Sequence, residues 1–358
     1  MRVIMFPAVG VQNENRYIDI LVSALRAEGV VVENWTKHLS FQQGDVFHVH
    51  WPEIVAEIRD RKNNLLRGLW IEQQFFSTIR RVKKNGGRVV WTVHDLAPHD
   101  AKLRDSPFLK KFMQRFMAQV DVACSLTAAG IDQIKQTLPS LNHARFCVTH
   151  HPHYRTVLGE HTPASTAREK LGIQQAQRVY SFIGSLRPNK RPDLVTSAFR
   201  ALPQADNFLI VAGGANSEMT AKITQAAQGQ PNIRLDLRRI PEDEIGDLYA
   251  ATDIMVFPGT DYFNSGTIYT ALSLNVPVLA AWSPSNAELQ QAVGNQWLYL
   301  YQGDFTADVL AEAGRTLIRR TADSRCNLDL FEPKACALEH IEAYSTPTTS
   351  CCEHNHAA

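Results

Sequence analysis

Short apolar runs alternate along the whole chain with longer segments in which apolar residues recur at helical spacing. The runs, bounded by Gly, Pro or polar residues, predict buried strands, and the periodic segments predict helices. Their alternation predicts parallel sheets with helices on the faces. Strands are expected at residues 2–6, 30–35, 46–50, 88–94, 122–126, 147–150, 179–183, 208–212, 233–237, 254–257, 277–280 and 297–301. The expected helices include 17–28, 65–84, 106–120, 242–251 and 268–274.

A polar segment at residues 155–178 separates two series of strands. A chain of 358 residues is too long for one compact core, so two domains are expected. The pattern therefore predicts an α/β fold with two doubly wound domains at residues 1–155 and 156–330. Residues 331–345 are expected to form a helix, and the polar residues 346–358 a disordered tail.

Composition supports a globular protein without a membrane span. The hydrophobic fraction is 44% and the charged fraction 20%, and no apolar run reaches 18 residues. The first residues enter a strand pattern directly and show no signal peptide, which predicts a cytoplasmic location. The six cysteines have no framework spacing, as is usual in a reducing compartment.

Charge is unevenly distributed between the two halves. Residues 1–150 contain 20 Lys and Arg against 14 Asp and Glu, whereas residues 151–358 contain 17 against 22. The basic first half is expected to face an anionic partner. The segment 106–120 has an apolar face and a basic face. It fits a core-facing helix with a solvated basic face better than the alternative, an interfacial helix on an anionic bilayer.

Polar residues cluster after two strands of the first domain. In open α/β sheets, ligands bind beyond the carboxyl ends of the strands. A lone histidine there is most often structural, but a group of ionisable residues at two strand ends favours a functional site. The group consists of His48, His50, Glu53, His94, Asp95 and His99.

Two loops of the second domain have the residue types that bind a diphosphate. The first offers Gly184 for close backbone approach, with Arg187 and Lys190 to neutralise charge. The second opens a helix, where unpaired backbone N–H groups and the helix dipole favour an anion. It consists of Asn264, Ser265, Gly266 and Thr267. A further strand ends at Gly213 and Gly214, which we expect to leave room for a bulky ligand group. Taken alone, the second loop would be an ordinary turn with an Asn or Ser N-cap.

Several motifs resemble those of GT-B glycosyltransferases of the family-4 type. FIGSLRPNKRPDLVTSAF resembles their diphosphate-binding loop, and FPGTDYFNSGTIYTALSLNVPVLA resembles their donor-binding strand, loop and helix. HVHWPE, WTVHDLAPH and HHPHY resemble motifs of bacterial relatives that build exopolysaccharides and surface polysaccharides. Among these, size and motifs are most similar to the xanthan-type GDP-mannose-dependent β-mannosyltransferases. The resemblance extends over residues 1–345.

The resemblance implies a GT-B fold, in which two Rossmann-like domains face each other across a cleft. Residues 1–155 would bind the acceptor, 156–330 the nucleotide sugar, and the helix 331–345 would cross back to the first domain. The resemblance assigns Arg187 and Lys190 to the donor diphosphate, and Ser265, Gly266 and Thr267 to phosphate or ribose. Gly184, Gly213 and Asn264 complete the expected donor site. His94 would lie near the transferred sugar.

One departure from the family pattern bears on mechanism. Family-4 retaining enzymes have two glutamates in the donor loop, and alignment on Pro277 and Val278 places Tyr262 and Thr270 there instead. Asp261 is adjacent to the first of these positions and is a possible substitute. The absence of these two glutamates favours an inverting mechanism in which a residue of the first domain is the base. The candidates are Asp95, Glu53 and His94. Asp95 could equally be a turn or N-cap residue, and Glu53 is expected in a loop, where it could be a surface residue.

The resulting hypothesis is a glycosyltransferase that moves mannose from GDP-mannose, with inversion, onto a lipid-diphosphate-linked oligosaccharide. It would need no cofactor or metal, would not bind nucleic acid, and would contact the anionic inner face of the plasma membrane peripherally. Alternatives are a retaining enzyme that uses a UDP-sugar, or a degenerate GT-B binding protein. A Rossmann oxidoreductase or epimerase is disfavoured because no G-x-G-x-x-G follows the first strand. Zinc binding is conceivable for His150, His151 and His153, but hydrogen bonding or packing fits them better.

Overall fold

The computed structural model describes residues 1–7, 16–36, 39–61, 65–97, 104–158, 162–260, 263–321 and 323–345 of the chain. The chain divides into two compact units. Unit 1 comprises Met1–Pro152 and Leu330–Ala358, and unit 2 comprises His153–Asp329. The division follows Pro152, three residues before the boundary expected from the sequence.

Unit 1 contains a six-stranded sheet in which all neighbouring strands are parallel. The strand order is β2-β1-β3-β4-β5-β6, so the order reverses between β1 and β3. The strands are β1 (Arg2–Phe6), β2 (Val31–Asn34), β3 (Val46–Val49), β4 (Arg88–Thr92), β5 (Val122–Ser125) and β6 (Arg145–Val148). The helices are α1 (Tyr17–Ala27), α2 (Glu53–Arg61), α3 (Leu65–Lys84), α4 (Pro107–Met117) and α5 (Ala128–Thr137).

Unit 2 has the same architecture and the order β12-β11-β10-β7-β8-β9. Its strands are β7 (Arg178–Ile183), β8 (Asn207–Ala212), β9 (Ile233–Asp236), β10 (Ile254–Phe257), β11 (Val278–Ala281) and β12 (Leu298–Tyr301). Its helices are α6 (Ala164–Leu171), α7 (Pro192–Phe199), α8 (Ser217–Ala227), α9 (Glu242–Ala251), α10 (Gly266–Ser273), α11 (Pro284–Val293) and α12 (Ala307–Thr316). The strand order reverses between β7 and β10, the position at which doubly wound sheets bind ligands.

The last helix, α13 (Pro333–Ser345), belongs to unit 1 although it follows unit 2 in sequence. Its buried residues Ala337, Ala343 and Tyr344 share a hydrophobic cluster with residues of α1. Arg145 at the start of β6 donates a hydrogen bond of 2.8 Å to the carbonyl oxygen of Ala343. The sheet and the returning helix therefore form one core.

The strongly apolar elements form as predicted, and three others differ. The strand expected at 147–150 is β6, two residues earlier; it is an edge strand whose residues are half-buried, so the apolar pattern marks it poorly. The helix expected at 268–274 begins at Gly266. The expected loop at Glu53 is wrong, because Glu53 is the first residue of α2. The preceding Pro52 was an available signal, since proline favours the start of a helix.

Candidate functional site

The first candidate site of unit 2 lies where β7 and β8 end. Gly184 follows β7 with φ of 135°, and Gly213 follows β8 with φ of 146°. The backbone N–H of Leu186 donates to the carbonyl oxygen of Gly214 at 2.9 Å, and Leu186 forms a bridge with Ala215. The two loops thus continue side by side beyond the sheet, which fixes the first predicted donor loop against β8.

Gly213 has a different role from the one expected. A Cβ atom at Gly213 would lie 1.7 Å from the carbonyl oxygen of Gly184, so no room for a ligand group exists there. A Cβ atom at Gly214 would meet nothing closer than the backbone nitrogen of Arg239 at 3.9 Å. Gly213 therefore allows the two strand ends to approach each other, and the expected open space lies at Gly214.

The two predicted donor loops converge. A Cβ atom at Gly184 would lie 3.9 Å from the Cγ2 atom of Thr267, so the backbone after β7 faces the first turn of α10. Ser265 occupies the N-cap position of α10, but its side chain makes no capping hydrogen bond. The ordinary N-cap interpretation therefore does not apply to Ser265. Ser265 therefore leaves the first-turn amides, including those of Gly266 and Thr267, without a cap from its own side chain, and such amides bind anions at helix N-termini. Asn264 precedes this turn and is partly exposed.

Two basic side chains follow Gly184 in the first of these loops. Arg187 is exposed, and its Nε atom donates to the hydroxyl of Ser185 at 3.1 Å. Lys190 ends a short 3-10 helix, Pro188–Lys190. Burial lowers the pKa of Lys190, and the nearby Arg187 charge lowers it further. A bound anion would relieve both effects, so these two side chains suit a diphosphate.

The positions of the missing glutamates are only partly described. Thr270 lies in α10, where its hydroxyl donates to the carbonyl oxygen of Gly266 at 3.0 Å. No carboxylate is present at that position. Asp261 and Tyr262 lie outside the described residues, as does His99 of the first domain.

In unit 1, all three predicted catalytic residues line one cavity of about 260 Å³. Glu53 begins α2, whereas His94 and Asp95 follow β4. The sequence did not identify the opposite wall, which is mainly apolar. Its residues from α4 and nearby segments are Leu109, Met113, Met117 and Leu138. Such side chains become recognisable as a wall only when the sheet brings α4 beside the strand ends.

The pKa of Glu53 is raised to about 8. Burial is the main cause, and the negative charges of Asp95 and Glu57 contribute, while a hydrogen bond from its own backbone N–H opposes the shift. Glu53 is therefore mainly protonated at neutral pH and can donate a hydrogen bond. A carboxyl group that is kept protonated beside another carboxyl group is typical of acid–base sites.

The His94 ring contacts two aromatic side chains and is hydrogen-bonded to a second histidine. Trp51 stacks on it with ring centroids 4.3 Å apart, and Tyr17 makes an edge contact at 4.9 Å. His50 Nδ1 and His94 Nε2 are hydrogen-bonded at 2.9 Å. Burial lowers the pKa of His94 to about 3, with smaller contributions from His151 and His340. The ring is therefore neutral near pH 7, so His94 can orient a hydroxyl but carries no charge.

A buried polar network continues below this cavity to the returning helix. His48 bonds Thr92 through Nε2 and the Tyr344 hydroxyl through Nδ1, both at 2.8 Å. The His340 ring lies 5.5 Å from that of His48 and donates through Nδ1 to the carbonyl oxygen of Cys336 at 2.7 Å. The sequence placed His48 in the cluster, but the partners from α13 are almost 300 positions away and were not found.

The histidines proposed for packing or hydrogen bonding have such partners. His150 bonds Glu339 through Nδ1 at 2.6 Å, and His151 bonds the carbonyl oxygen of Pro152 at 2.8 Å. His153 is buried in unit 2. Within the described part of the chain, no group of three or more His, Cys, Asp or Glu residues is arranged to hold a metal ion.

Helix α4 has the core-facing arrangement that the sequence favoured. Leu109, Phe112 and Phe116 are buried, whereas Lys110 and Lys111 are exposed. A group of three exposed apolar side chains lies at the start of α3, where Leu66, Leu69 and Trp70 are 81%, 44% and 46% exposed. Among the described residues, no helix is both long and apolar enough to cross a membrane.

Residues 164–319 match the family described as glycosyl transferases group 1. This segment contains both donor loops, with all eight residues predicted to bind the donor. Residues 164–319 are a group 1 glycosyltransferase domain.

Sequence and structural relatives extend the likeness of this glycosyltransferase to both units. A GDP-mannose:glycolipid 4-beta-D-mannosyltransferase of Xanthomonas campestris pv. campestris is 28% identical over 268 residues, which are 75% of this chain and 70% of the relative. Sucrose-phosphate synthase from Thermosynechococcus elongatus has a TM-score of 0.60 at 13% identity, covering 96% of this chain and 94% of that one. The catalytic domain of starch synthase IV from Arabidopsis thaliana has a TM-score of 0.61 at 12% identity, covering 96% and 98%.

These likenesses confirm the predicted α/β fold of the GT-B class, with two parallel six-stranded sheets. They also confirm the predicted enzyme class, a glycosyltransferase that uses a nucleotide sugar. The individual residue roles remain predictions.

Proposed function

We propose that this glycosyltransferase transfers mannose from GDP-mannose, with inversion, to a lipid-diphosphate-linked oligosaccharide in the synthesis of an exopolysaccharide or surface polysaccharide. The observation that carries the proposal is the 28% identity, over three quarters of the chain, with a GDP-mannose:glycolipid 4-beta-D-mannosyltransferase. The converging donor loops of unit 2 and the carboxyl-lined cavity of unit 1 supply the chemistry that such a reaction needs.

The donor diphosphate binds where Gly184 faces Thr267. The first-turn amides of α10 donate hydrogen bonds to the phosphate oxygens, and Arg187 and Lys190 offset the negative charge of the diphosphate. As the sugar leaves, negative charge grows on the diphosphate, so the same groups also stabilise the transition state. This electrostatic role is the one that a metal ion has in other transferases, and we propose that no metal is required.

Inversion needs a base that removes the proton from the acceptor hydroxyl as that oxygen attacks the sugar carbon. We assign this role to Asp95. The protonated Glu53 beside it donates a hydrogen bond, and the neutral His94 orients the hydroxyl. The absence of a carboxylate at Thr270 supports inversion over retention, because family-4 retaining enzymes have a glutamate at that position.

The acceptor is proposed to remain anchored in a membrane that the enzyme contacts peripherally, at the inner face of the plasma membrane. Leu66, Leu69 and Trp70 follow helical spacing and expose apolar surface that the core of unit 1 does not use. Exposed Arg67 on the same helix, together with Lys110 and Lys111 on α4, supplies basic groups for anionic headgroups. Aliphatic and tryptophan side chains beside cations are typical of interfacial segments.

A transfer assay with purified protein tests the donor and the stereochemistry together. GDP-mannose, UDP-glucose and UDP-galactose are each offered with a synthetic polyprenyl-diphosphate disaccharide, and the product anomer is determined by NMR. We expect transfer from GDP-mannose and a β-linked product. Transfer from a UDP-sugar, or an α-linked mannose, would refute the donor or the inverting mechanism respectively.

Two sets of variants test the sites. Arg187→Ala with Lys190→Ala should weaken GDP binding at least about tenfold, whereas Arg234→Ala, which changes an exposed arginine on β9, should not. Leu66→Ser with Trp70→Ser should reduce flotation with vesicles containing phosphatidylglycerol without changing GDP affinity. Unchanged flotation would refute the membrane contact proposed for α3.

A further inference from the structure

Unit 2 contains a second cavity, of about 860 Å³, with a strongly basic lining. Among the described residues that line it, Asp253 is the only carboxylate. The six arginines of the lining are Arg155, Arg168, Arg178, Arg319, Arg320 and Arg325. All of these residues belong to unit 2, so the cavity is complete within that unit.

This cavity lies at the opposite edge of the sheet from the donor loops. Arg178 is the first residue of β7, and Asp253 immediately precedes β10. The donor loops follow the last residues of the same strands. At about 3.3 Å per residue, the six residues from Arg178 to Gly184 span roughly 20 Å. One nucleotide diphosphate at the donor loops therefore cannot also place its phosphates in this cavity.

Three of the six arginines bind the ends of neighbouring helices or the carboxylate of the lining. Arg155 donates to the carbonyl oxygens of Ser273 and Cys326, and Arg320 to those of Tyr249 and Thr252. These contacts cap the C-terminal ends of α10 and α9, where a positive charge is favourable. Arg168 pairs with Asp253 at 2.6 Å, which also neutralises the carboxylate of Asp253.

Of the other three, Arg178 donates a hydrogen bond to the hydroxyl of Tyr180, and Arg325 donates to the carbonyl oxygen of Ser324 at 3.0 Å. Neither Arg178 nor Arg319 forms an ion pair within the described part of the chain, and Arg319 and Arg325 are exposed at the rim. The rest of the polar lining is rich in hydrogen-bond donors. It includes the hydroxyls of Thr162, Ser165, Thr321 and Ser324 and the amides of Gln175 and Gln177.

We propose that this cavity binds a phosphate-bearing ligand separately from the sugar-nucleotide site. An excess of guanidinium groups beside hydroxyl and amide donors is complementary to phosphate oxygens, because each guanidinium offers a planar fork of N–H groups. The volume lies in the range of small-molecule sites, so it accommodates more than a single phosphate. The ligand is either a soluble phosphorylated molecule or the headgroup of a phospholipid.

Calorimetric titration with inorganic pyrophosphate tests the cavity directly. Pyrophosphate is also expected at the donor loops, so the titration uses the Arg187→Ala, Lys190→Ala variant, in which that binding is weakened. We expect one binding event to remain in this background. Adding Arg319→Gln and Arg325→Gln should weaken it at least tenfold. The matched control adds Arg200→Gln and Arg234→Gln, two exposed arginines of unit 2 outside the cavity, and should leave it unchanged.

A second arm distinguishes the two sources of phosphate. Flotation with phosphatidylcholine vesicles is compared with and without phosphatidylglycerol, for wild type and for Arg319→Gln with Arg325→Gln. Loss of phosphatidylglycerol-dependent flotation in the variant assigns the cavity to a lipid headgroup, and loss of pyrophosphate binding alone assigns it to a soluble ligand. If neither measurement depends on these two arginines, or if no pyrophosphate binds once the donor loops are altered, the proposal is wrong. GDP-mannose transfer is measured in parallel and is independent of either outcome.

Discussion

At the scale of single residues, one pair of substitutions can distinguish the proposed roles of Glu53 and Asp95. Because the pKa of Glu53 is about 8, Glu53→Gln preserves its neutral, hydrogen-bonding form near pH 7. We expect kcat to fall less than about tenfold in Glu53→Gln, but by about 10²- to 10⁴-fold in Asp95→Asn, which removes the proposed base. The measurement is kcat for mannose transfer at pH 7. A larger loss in Glu53→Gln than in Asp95→Asn would make Glu53 the base.

Gly213 and Gly214 offer a matched pair for stability. Gly213→Ala places a methyl group against the backbone of Gly184, and its φ of 146° disfavours any side chain. We expect a loss of about 2 kcal/mol or more in the free energy of unfolding, measured by urea denaturation. Gly214→Ala has space around its Cβ atom and should cost much less. Equal losses of unfolding free energy in the two variants would contradict the proposal that Gly213 is needed for the close approach of the two strand ends.

At the scale of elements, the sequence correctly predicted the strands and helices that have a clear local pattern of apolar residues. The buried strands β1 and β10 and the helices α3 and α9 have bounds that match the expected ones, because their apolar pattern and their ends are both clear. The edge strand β6 was displaced, since half-buried residues weaken the pattern. The two loops predicted to bind the donor do converge, and they could be recognised because glycines and cations at strand ends have a direct physical meaning. The apolar wall of the unit 1 cavity and the partners on α13 were not found, because they depend on distant segments.

The returning helix α13 has a polar role that can be measured. Tyr344→Phe removes the hydroxyl that is hydrogen-bonded to His48 Nδ1 and leaves that buried nitrogen without its partner. We expect a loss of about 1–3 kcal/mol in the free energy of unfolding, because an unsatisfied buried polar group keeps its desolvation penalty. Tyr299→Phe, in the half-exposed part of β12, serves as the control and should be nearly neutral. The test is thermal unfolding at pH 7.5, and a neutral Tyr344→Phe would show that the bond adds no stability.

At the scale of the whole molecule, the buried histidines make the two units respond differently to acid. Burial lowers the pKa values of His94, His151 and His340 to about 3, 4 and 4, and those of His48 and His50 are lowered as well. All five lie in unit 1, whereas His153 is the only described histidine of unit 2. Burial is the main cause in every case, so the charged forms are disfavoured inside the fold.

Unit 1 should therefore lose stability as the pH falls from 6.5 towards 4, because the unfolded chain binds protons that the folded unit excludes. Each such histidine contributes about 1.4 kcal/mol per pH unit within its own window. Glu53 acts in the opposite sense between pH 4.5 and about 8, because its raised pKa makes the folded unit bind the extra proton. Its single contribution is smaller than the sum of the five histidine contributions.

We expect scanning calorimetry from pH 7.5 to 5 to show one transition that moves to lower temperature much more than the other. His340→Gln should reduce that movement, since its window runs from pH 6.5 to about 4. His143→Gln, which changes an exposed histidine of unit 1 outside the network, should not. Parallel movement of both transitions would mean that the histidine network does not control the acid response.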